Sequence, residues 1–349
     1  MQYLVVGAGF SGAVVARELA EADHNVKVIE VRDHVAGNAY DYTNEHGIRI
    51  HKYGPHLFHT NNKIVYEYLG NFTEWVPYQH KVKALLADGR FATLPVNRQT
   101  KDMVGEDNVI DIFFRPYSKK MWGMELEALN PEILNRVPIR NDDNELYFPD
   151  DLYQAVPKDG YTAMVQNILD HQNIQVFLST PYDKRNNLAY DHVFNSMPID
   201  QYFDFKHGYL PYRSMRFETC TLPLPVALPS TTVNFTHDGP QTRVTEWKHI
   251  PFHGENEYLT TLTFETPCCY TENNFERYYP VKDADGKNRA VYQKYKNEIP
   301  GNMTFIGRCG LYAYLDMHQA VNSALAIARD FLTNNKLSPQ NYAASDEYQ

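Results

Sequence analysis

The stretch VVGAGFSGAVVARELAE, residues 5–21, decides how the chain begins to fold. An apolar run, Tyr3-Leu4-Val5-Val6, leads into Gly7, Gly9 and Gly12, and Ala13 to Glu21 carries Ala16, Leu19 and Ala20 on one side of a helix. After a polar break at Asp23 and His24, Val26-Lys27-Val28-Ile29 reads as a second strand ending in Glu30. Strand, glycine turn, helix, strand and acid together make a βαβ unit of the dinucleotide-binding kind. The chemistry follows from geometry: glycines let the backbone approach a pyrophosphate at the positive end of the helix, and Glu30 is placed to accept hydrogen bonds from ribose hydroxyls. Three glycines alone would equally suit a tight turn without ligand, so the flanking elements carry the reading.

Composition bounds what else the chain can be. Its 349 residues suffice for two or three domains without disulfide or metal staples. It is 43% hydrophobic and 22% charged, and no apolar run reaches the roughly eighteen residues a membrane-spanning helix needs. The first residues form a strand rather than a basic and apolar leader, so export by a signal peptide is not expected. Cys220, Cys268, Cys269 and Cys309 are too few and too irregular for a disulfide framework, which points to reduced thiols and a cytoplasmic setting. A net charge of -10 disfavours nucleic acid and anionic membranes as partners, so any phosphate must be held by particular arginines.

The class predicted is α/β, opening on a Rossmann-like domain and continuing into strand-rich segments. Lys81 to Val96 reads as a hairpin about Asp88-Gly89, and Met215 to Thr266, rich in Thr, Phe and Val, as antiparallel strands. Thr162–Leu169 reads as a helix, and Ile174–Leu178, His192–Phe194 and Thr304–Ile306 as strands. A last helix runs from His318 to about Thr333 with Val321, Ala324, Leu325, Ala328 and Phe331 on one face. The polar segment 334–349 is expected to be disordered.

Beyond Glu30, Arg32 and a second glycine turn at Gly37-Asn38 resemble flavoproteins of the glutathione-reductase type, which favours FAD over NAD. Further on, Gly54-Pro55-His56 and His59 resemble the flavin-facing segment of UDP-galactopyranose mutases. Phe113-Phe114-Arg115-Pro116-Tyr117 with Trp122 resembles the uridine-binding helix of that family, and Asn135 to Arg140 its mobile loop. Tyr147, Gly160-Tyr161-Thr162, Tyr212-Arg213, Thr242 to Glu246, Tyr278-Tyr279-Pro280, Gly307-Arg308 and Tyr314 to Met317 follow in family order, over nearly the whole chain.

What the resemblance implies is a ring contraction without net oxidation, in which reduced FAD attacks the anomeric carbon through N5, expels the nucleoside diphosphate and passes through a flavin-sugar adduct. The implied substrate is UDP-galactopyranose, with dTDP-fucopyranose or UDP-N-acetylgalactopyranose as alternatives; galactofuranose made this way serves cell-surface polysaccharide. A flavin amine oxidase, which would share the first forty residues, is the competing class. Arg136 and Arg243 match the phosphate-binding arginines, whose donor forks suit a departing diphosphate. His59 and Tyr314 complete the implied catalytic set. Asn97, Phe114, Tyr117, Trp122, Tyr147 and Tyr279 match substrate contacts. Gly7, Gly9, Gly12, Glu30, Arg32, Gly37, Asn38, His56, Arg308, Asp316 and Met317 match the flavin side, and no metal site is implied.

The resemblance also implies a domain arrangement: an FAD domain from 1–70, 155–210 and 295–333, a helical domain at 97–150, and a sheet domain from 71–96 and 211–294. Partners implied are a nucleotide sugar, an external reductant such as NAD(P)H, and a second copy in a homodimer. The segment from Thr100 to Phe113 is shorter than in typical bacterial members, which removes part of the helical domain through which such a dimer is built. Arg98 and Ala313 depart from the family pattern and are expected to rearrange charge near the sugar and flavin.

Overall fold

The computed structural model describes residues 1–128, 139–281, 283 and 285–334. A five-stranded parallel sheet has the order Ile174–Phe177, Asn25–Ile29, Gln2–Val6, His192–Asn195, Met303–Phe305. Both faces are covered at Gln2–Val6, His192–Asn195 and Met303–Phe305, whose inner residues are buried, whereas the edge strand Ile174–Phe177 stays largely exposed. Alternation along Gln2–Val6 sends Tyr3 and Val5 into a core with the helices Phe10–Glu21, Tyr161–Leu169 and Met317–Asn334. Leu4 and Val6 face a second core with Val193, Tyr212, Tyr295 and Phe305.

The first helix starts at Phe10, three residues before the start read from the sequence, because Gly12 is a helical contact rather than part of the turn. A Cβ on Gly12 would stand 1.9 Å from the carbonyl oxygen of Gly7. The glycine therefore serves the close approach of helix to strand.

Asp41 shows how distant chain segments complete one element. Its carboxylate accepts the backbone N–H groups of Tyr161 and Thr162, each at 2.9 Å, and so caps the helix Tyr161–Leu169. A Cβ at Gly160 would lie 2.3 Å from that carboxylate, which accounts for glycine in the Gly160-Tyr161-Thr162 segment.

A seven-stranded mixed sheet forms the other half, in the order Tyr279–Pro280, Tyr212–Leu222, Thr260–Cys269, Arg243–Glu246, Thr232–Phe235, Val82–Leu85, Phe91–Leu94. Its neighbours are antiparallel except Thr232–Phe235 against Val82–Leu85. The hairpin expected about Asp88-Gly89 is present, with Gly89 at φ +86°. A three-stranded sheet of Phe58–Thr60, Tyr153–Pro157 and Trp75–Pro77 adjoins these halves, and the helices Arg98–Val104 and Arg115–Trp122 close one side. Among the described residues no helix is long and apolar enough to cross a membrane. The expected disorder of the tail from 335 onward, and the loop residues Asn135 to Pro138, lie outside the described residues.

Candidate functional site

A cavity of about 510 Å³ opens where the parallel-sheet half, the mixed sheet and the helix Arg115–Trp122 meet. The first half contributes Asn38, His56, Arg308, Asp316 and Met317; the mixed sheet contributes Arg243 and Tyr279; the helix contributes Tyr117 and Trp122. His59, Tyr147 and Tyr314 also line it. Residues spread from 38 to 317 thus converge on one volume.

Arg243 stands opposite Glu265 in paired strands, with Nε 2.8 Å from Oε1. Burial works against the charge on Arg243, yet Glu265 outweighs it and holds the guanidinium protonated above its ordinary range. Glu265 is 1% exposed, whereas 27% of the Arg243 side chain stays open. The carboxylate takes the Nε side of the fork, and Arg243 lines the cavity.

The rings of Tyr279 and Tyr314 stack at 5.3 Å and 14°, and the Arg308 guanidinium carbon lies 5.5 Å from each. Arg308 is fixed by donating to the carbonyls of Tyr278, at 2.9 Å, and Leu315, at 2.5 Å. Burial pushes the Tyr279 phenol up to about 12, so it is a neutral donor at pH 7. Trp122 meets Tyr279 edge to face at 6.5 Å. Tyr117 is likewise raised, first by burial. The end of their helix is held by Arg213, which donates to the carbonyls of Met121 at 2.7 Å and Lys120 at 3.1 Å.

His59 lies 2.6 Å from Asp151 through Nδ1 and stacks on Phe148 at 3.5 Å. The second Asp151 oxygen accepts from Asn61 at 3.0 Å. This arrangement orients the imidazole and keeps a proton on Nδ1. His56 and His80, both lining the cavity, are pushed down by burial to about 4 and about 3. They are neutral imidazoles at pH 7.

At the glycine turn the residues fit a dinucleotide. No side chain caps the helix that begins at Phe10 and no acid lies in its first turn, so its leading N–H groups suit an anion. A Cβ on Gly37, at φ +55°, would come within 3.1 Å of the Gly9 Cα, and one on Gly9 within 3.6 Å of the Gly37 Cα. Glu30 is spoken for in part: its carboxylate accepts the N–H groups of Ala8 at 2.8 Å and Arg32 at 2.9 Å. Each oxygen keeps a lone pair for a ribose hydroxyl. Arg32 pairs with Glu276 at 2.7 Å, donates to Asn38 at 3.0 Å and lies 4.4 Å over the Tyr53 ring.

Two expected substrate contacts are not among the described lining residues. Asn97 is fully buried and accepts the N–H of Thr100 at 2.9 Å, capping the helix Arg98–Val104; it is not among the described lining residues. Its side-chain oxygen serves as the helix cap. Phe114 packs against the buried cluster that holds Val109, Phe113, Ala84 and Leu94, and is not among the described lining residues. Arg98, whose charge was expected near the sugar, is exposed and pairs with Asp143. Neither Arg98 nor Ala313 is among the described lining residues. Arg136 lies outside the described residues.

Sequence reading missed Glu265, Asp151 and Glu276 as partners of site residues. For Glu265 one signal existed: an acid in the otherwise apolar and threonine-rich strand Thr260–Cys269 needs a cation once buried.

The family model for UDP-galactopyranose mutase matches residues 112–314, and that for an NAD(P)-binding Rossmann-like domain matches residues 5–72. The chain is 33% identical to a protein named probable UDP-galactopyranose mutase from Klebsiella pneumoniae, over 95% of this chain and 94% of that one. It is also 33% identical to a dTDP-fucopyranose mutase from Escherichia coli, over 95% and 99%. A crystal structure of reduced UDP-galactopyranose mutase superposes with a TM-score of 0.79, covering 99% of this chain and 97% of that one at 15% identity, a likeness of fold.

Proposed function

The chain belongs to the UDP-galactopyranose mutase family, and we propose that it interconverts the pyranose and furanose forms of a nucleotide-linked hexose, UDP-galactose first. The observation that supports this most is the meeting of Arg243, Arg308, Tyr279 and Tyr314 around one cavity beside a Rossmann-type glycine turn. Two guanidinium groups and two phenols suit a diphosphate better than they suit the amine of an oxidase substrate.

FAD is the cofactor this reading requires, held at the glycine turn by Gly7, Gly9, Gly12 and Glu30, with Asn38, His56 and Met317 on the cavity side. When bound and reduced, for example by NAD(P)H, it supplies a flavin nitrogen nucleophilic enough for an anomeric carbon. The chain's own residues do the rest. Arg243, backed by Glu265, stabilises charge that accumulates on the leaving diphosphate, and Arg136 is proposed to share this role. Tyr279 and Tyr314 donate hydrogen bonds without adding charge, and retain the diphosphate while the sugar ring opens and recloses. Tyr117 and Trp122 offer aromatic faces to a planar base. His59, oriented by Asp151, is placed to hold a proton during reclosure.

A dTDP-fucopyranose substrate is a second reading, favoured by the equal identity to the Escherichia coli protein. The test is anaerobic incubation of dithionite-reduced protein with UDP-galactose, UDP-galactofuranose and dTDP-fucose, with products separated by chromatography. Furanose–pyranose interconversion by reduced but not oxidised protein is expected. Steady oxygen consumption with an amine, and no isomerised sugar, would overturn the assignment.

A further inference from the structure

His51 and His253 are 0% and 1% exposed and are not among the described residues lining the cavity. Their Nε2 atoms are 2.9 Å apart, although the residues are 202 positions apart in the chain. Two ring nitrogens at that distance share one proton, and the remaining partners decide whose it is. His51 Nδ1 lies 3.0 Å from the backbone N–H of His56 and so must accept it. The His51 proton is therefore on Nε2, and it is donated to His253. His253 carries its own proton on Nδ1, 2.9 Å from the Pro251 carbonyl that accepts it. At the other end, His56 Nδ1 donates to the Gly54 carbonyl at 2.9 Å, which leaves Nε2 as the acceptor edge of a cavity-lining ring.

The turn that these bonds fix has little freedom to adjust. Gly54 has φ +85°, and a Cβ there would meet the Phe217 ring at 2.9 Å. Its N–H points to the His51 carbonyl at 3.3 Å. The His51 ring is wedged against Trp247 at 4.9 Å and Tyr161 at 5.6 Å, so it cannot swing to follow a displaced turn.

We propose that His51 and His253 form a buried imidazole relay that sets the position of the cavity-lining His56, which makes His51 and His253 positioning residues for the site. Neither ring touches the cavity; each acts through the His56 backbone and the turn that carries it. The relay stands on hydrogen-bond geometry alone, whereas its consequence for turnover rests on the mutase reading above. A second proton on His51 or His253 has no place without breaking a bond in the chain. The arrangement explains why a histidine, with one donor and one acceptor edge, occupies a site that an apolar residue could fill.

Two measurements on the flavin-loaded protein test this. Long-range proton–nitrogen correlation spectra at pH 7.5 should show neutral His51 with its proton on Nε2, and neutral His253 and His56 with theirs on Nδ1. A charged His51, or one protonated on Nδ1, would overturn the relay whatever the enzyme does. In the second measurement His51→Leu and His253→Leu should lower kcat about tenfold or more, with KM within about threefold, because a small misplacement of a site group is costly. His51→Asn keeps an acceptor for the His56 N–H and should recover most of that loss. Folded leucine variants with unchanged kcat, or an asparagine variant no better than leucine, would refute the positioning role. If the leucine variants do not fold, the spectra decide. If the unmodified protein turns over no nucleotide sugar, the mutase reading fails and the tautomers are still read.

Discussion

Arg243 and Glu265 face each other as direct cross-strand neighbours, the guanidinium Nε 2.8 Å from a carboxylate that is 1% exposed. The pairing fixes where the arginine fork points before any ligand arrives, and that preorganisation is what stabilising a departing diphosphate requires.

Glu265→Gln keeps the shape of the side chain and removes its charge. It should lower turnover at least about tenfold and reduce unfolding free energy by about 1–3 kcal/mol, since the buried partner of a charged group is neutralised. Urea melts and steady-state kinetics measure the two. Wild-type values in both would mean that the carboxylate does not orient Arg243.

For Arg243 itself the comparison is between alanine and lysine. Arg243→Ala should cost about 100- to 1000-fold in kcat, the usual size for one lost donor at a developing anion. Lysine, which cannot present two parallel N–H groups, should recover only part of this. Flavin absorbance should be unchanged in both variants, and turnover near wild type in the alanine variant would remove Arg243 from the chemistry.

Acid should destabilise the fold before its carboxylates titrate. Burial pushes His56, His192 and His253 down to about 4 and His80 to about 3. Their folded values lie below the unfolded value of about 6.5, so the unfolded chain binds more protons between those limits. The stability they contribute is therefore complete above about 6.5 and is lost as pH falls toward 4, by up to about 1.4 kcal/mol per pH unit for each ring. Denaturation midpoints at pH 7, 6 and 5 should fall steadily, and a flat profile would contradict the neutral burial of these rings.

For Asn97 the roles of helix cap and substrate contact can be told apart by mutation. As the buried cap of Arg98–Val104 it should, on change to alanine, cost about 0.5–2 kcal/mol of stability with KM unchanged. A raised KM at full stability would restore it to the substrate site.

Much of the architecture was legible from local pattern. The glycine turn, the acid after the second strand, the hairpin at Asp88-Gly89 and the apolar face of the last helix each depend on neighbours within a few residues, where strand and helix periods are written directly in the sequence. The site was legible to a lesser degree. Of the residues picked out by resemblance, Arg243, Arg308, Tyr279 and Tyr314 line one cavity, whereas Asn97 caps a helix and Phe114 packs in a core, roles that use the same side chains a ligand contact would use.

By itself, then, the sequence determined a doubly covered parallel sheet with a glycine-rich turn at its centre, since steric and hydrophobic rules at short range suffice for that. Tertiary structure alone decided which groups meet: Glu265 with Arg243, Asp151 with His59, Asp41 with the helix at Tyr161, and His253 with His51. Those pairings depend on strand register and on chain segments brought together from up to 202 residues away, and neither is encoded in any local spacing.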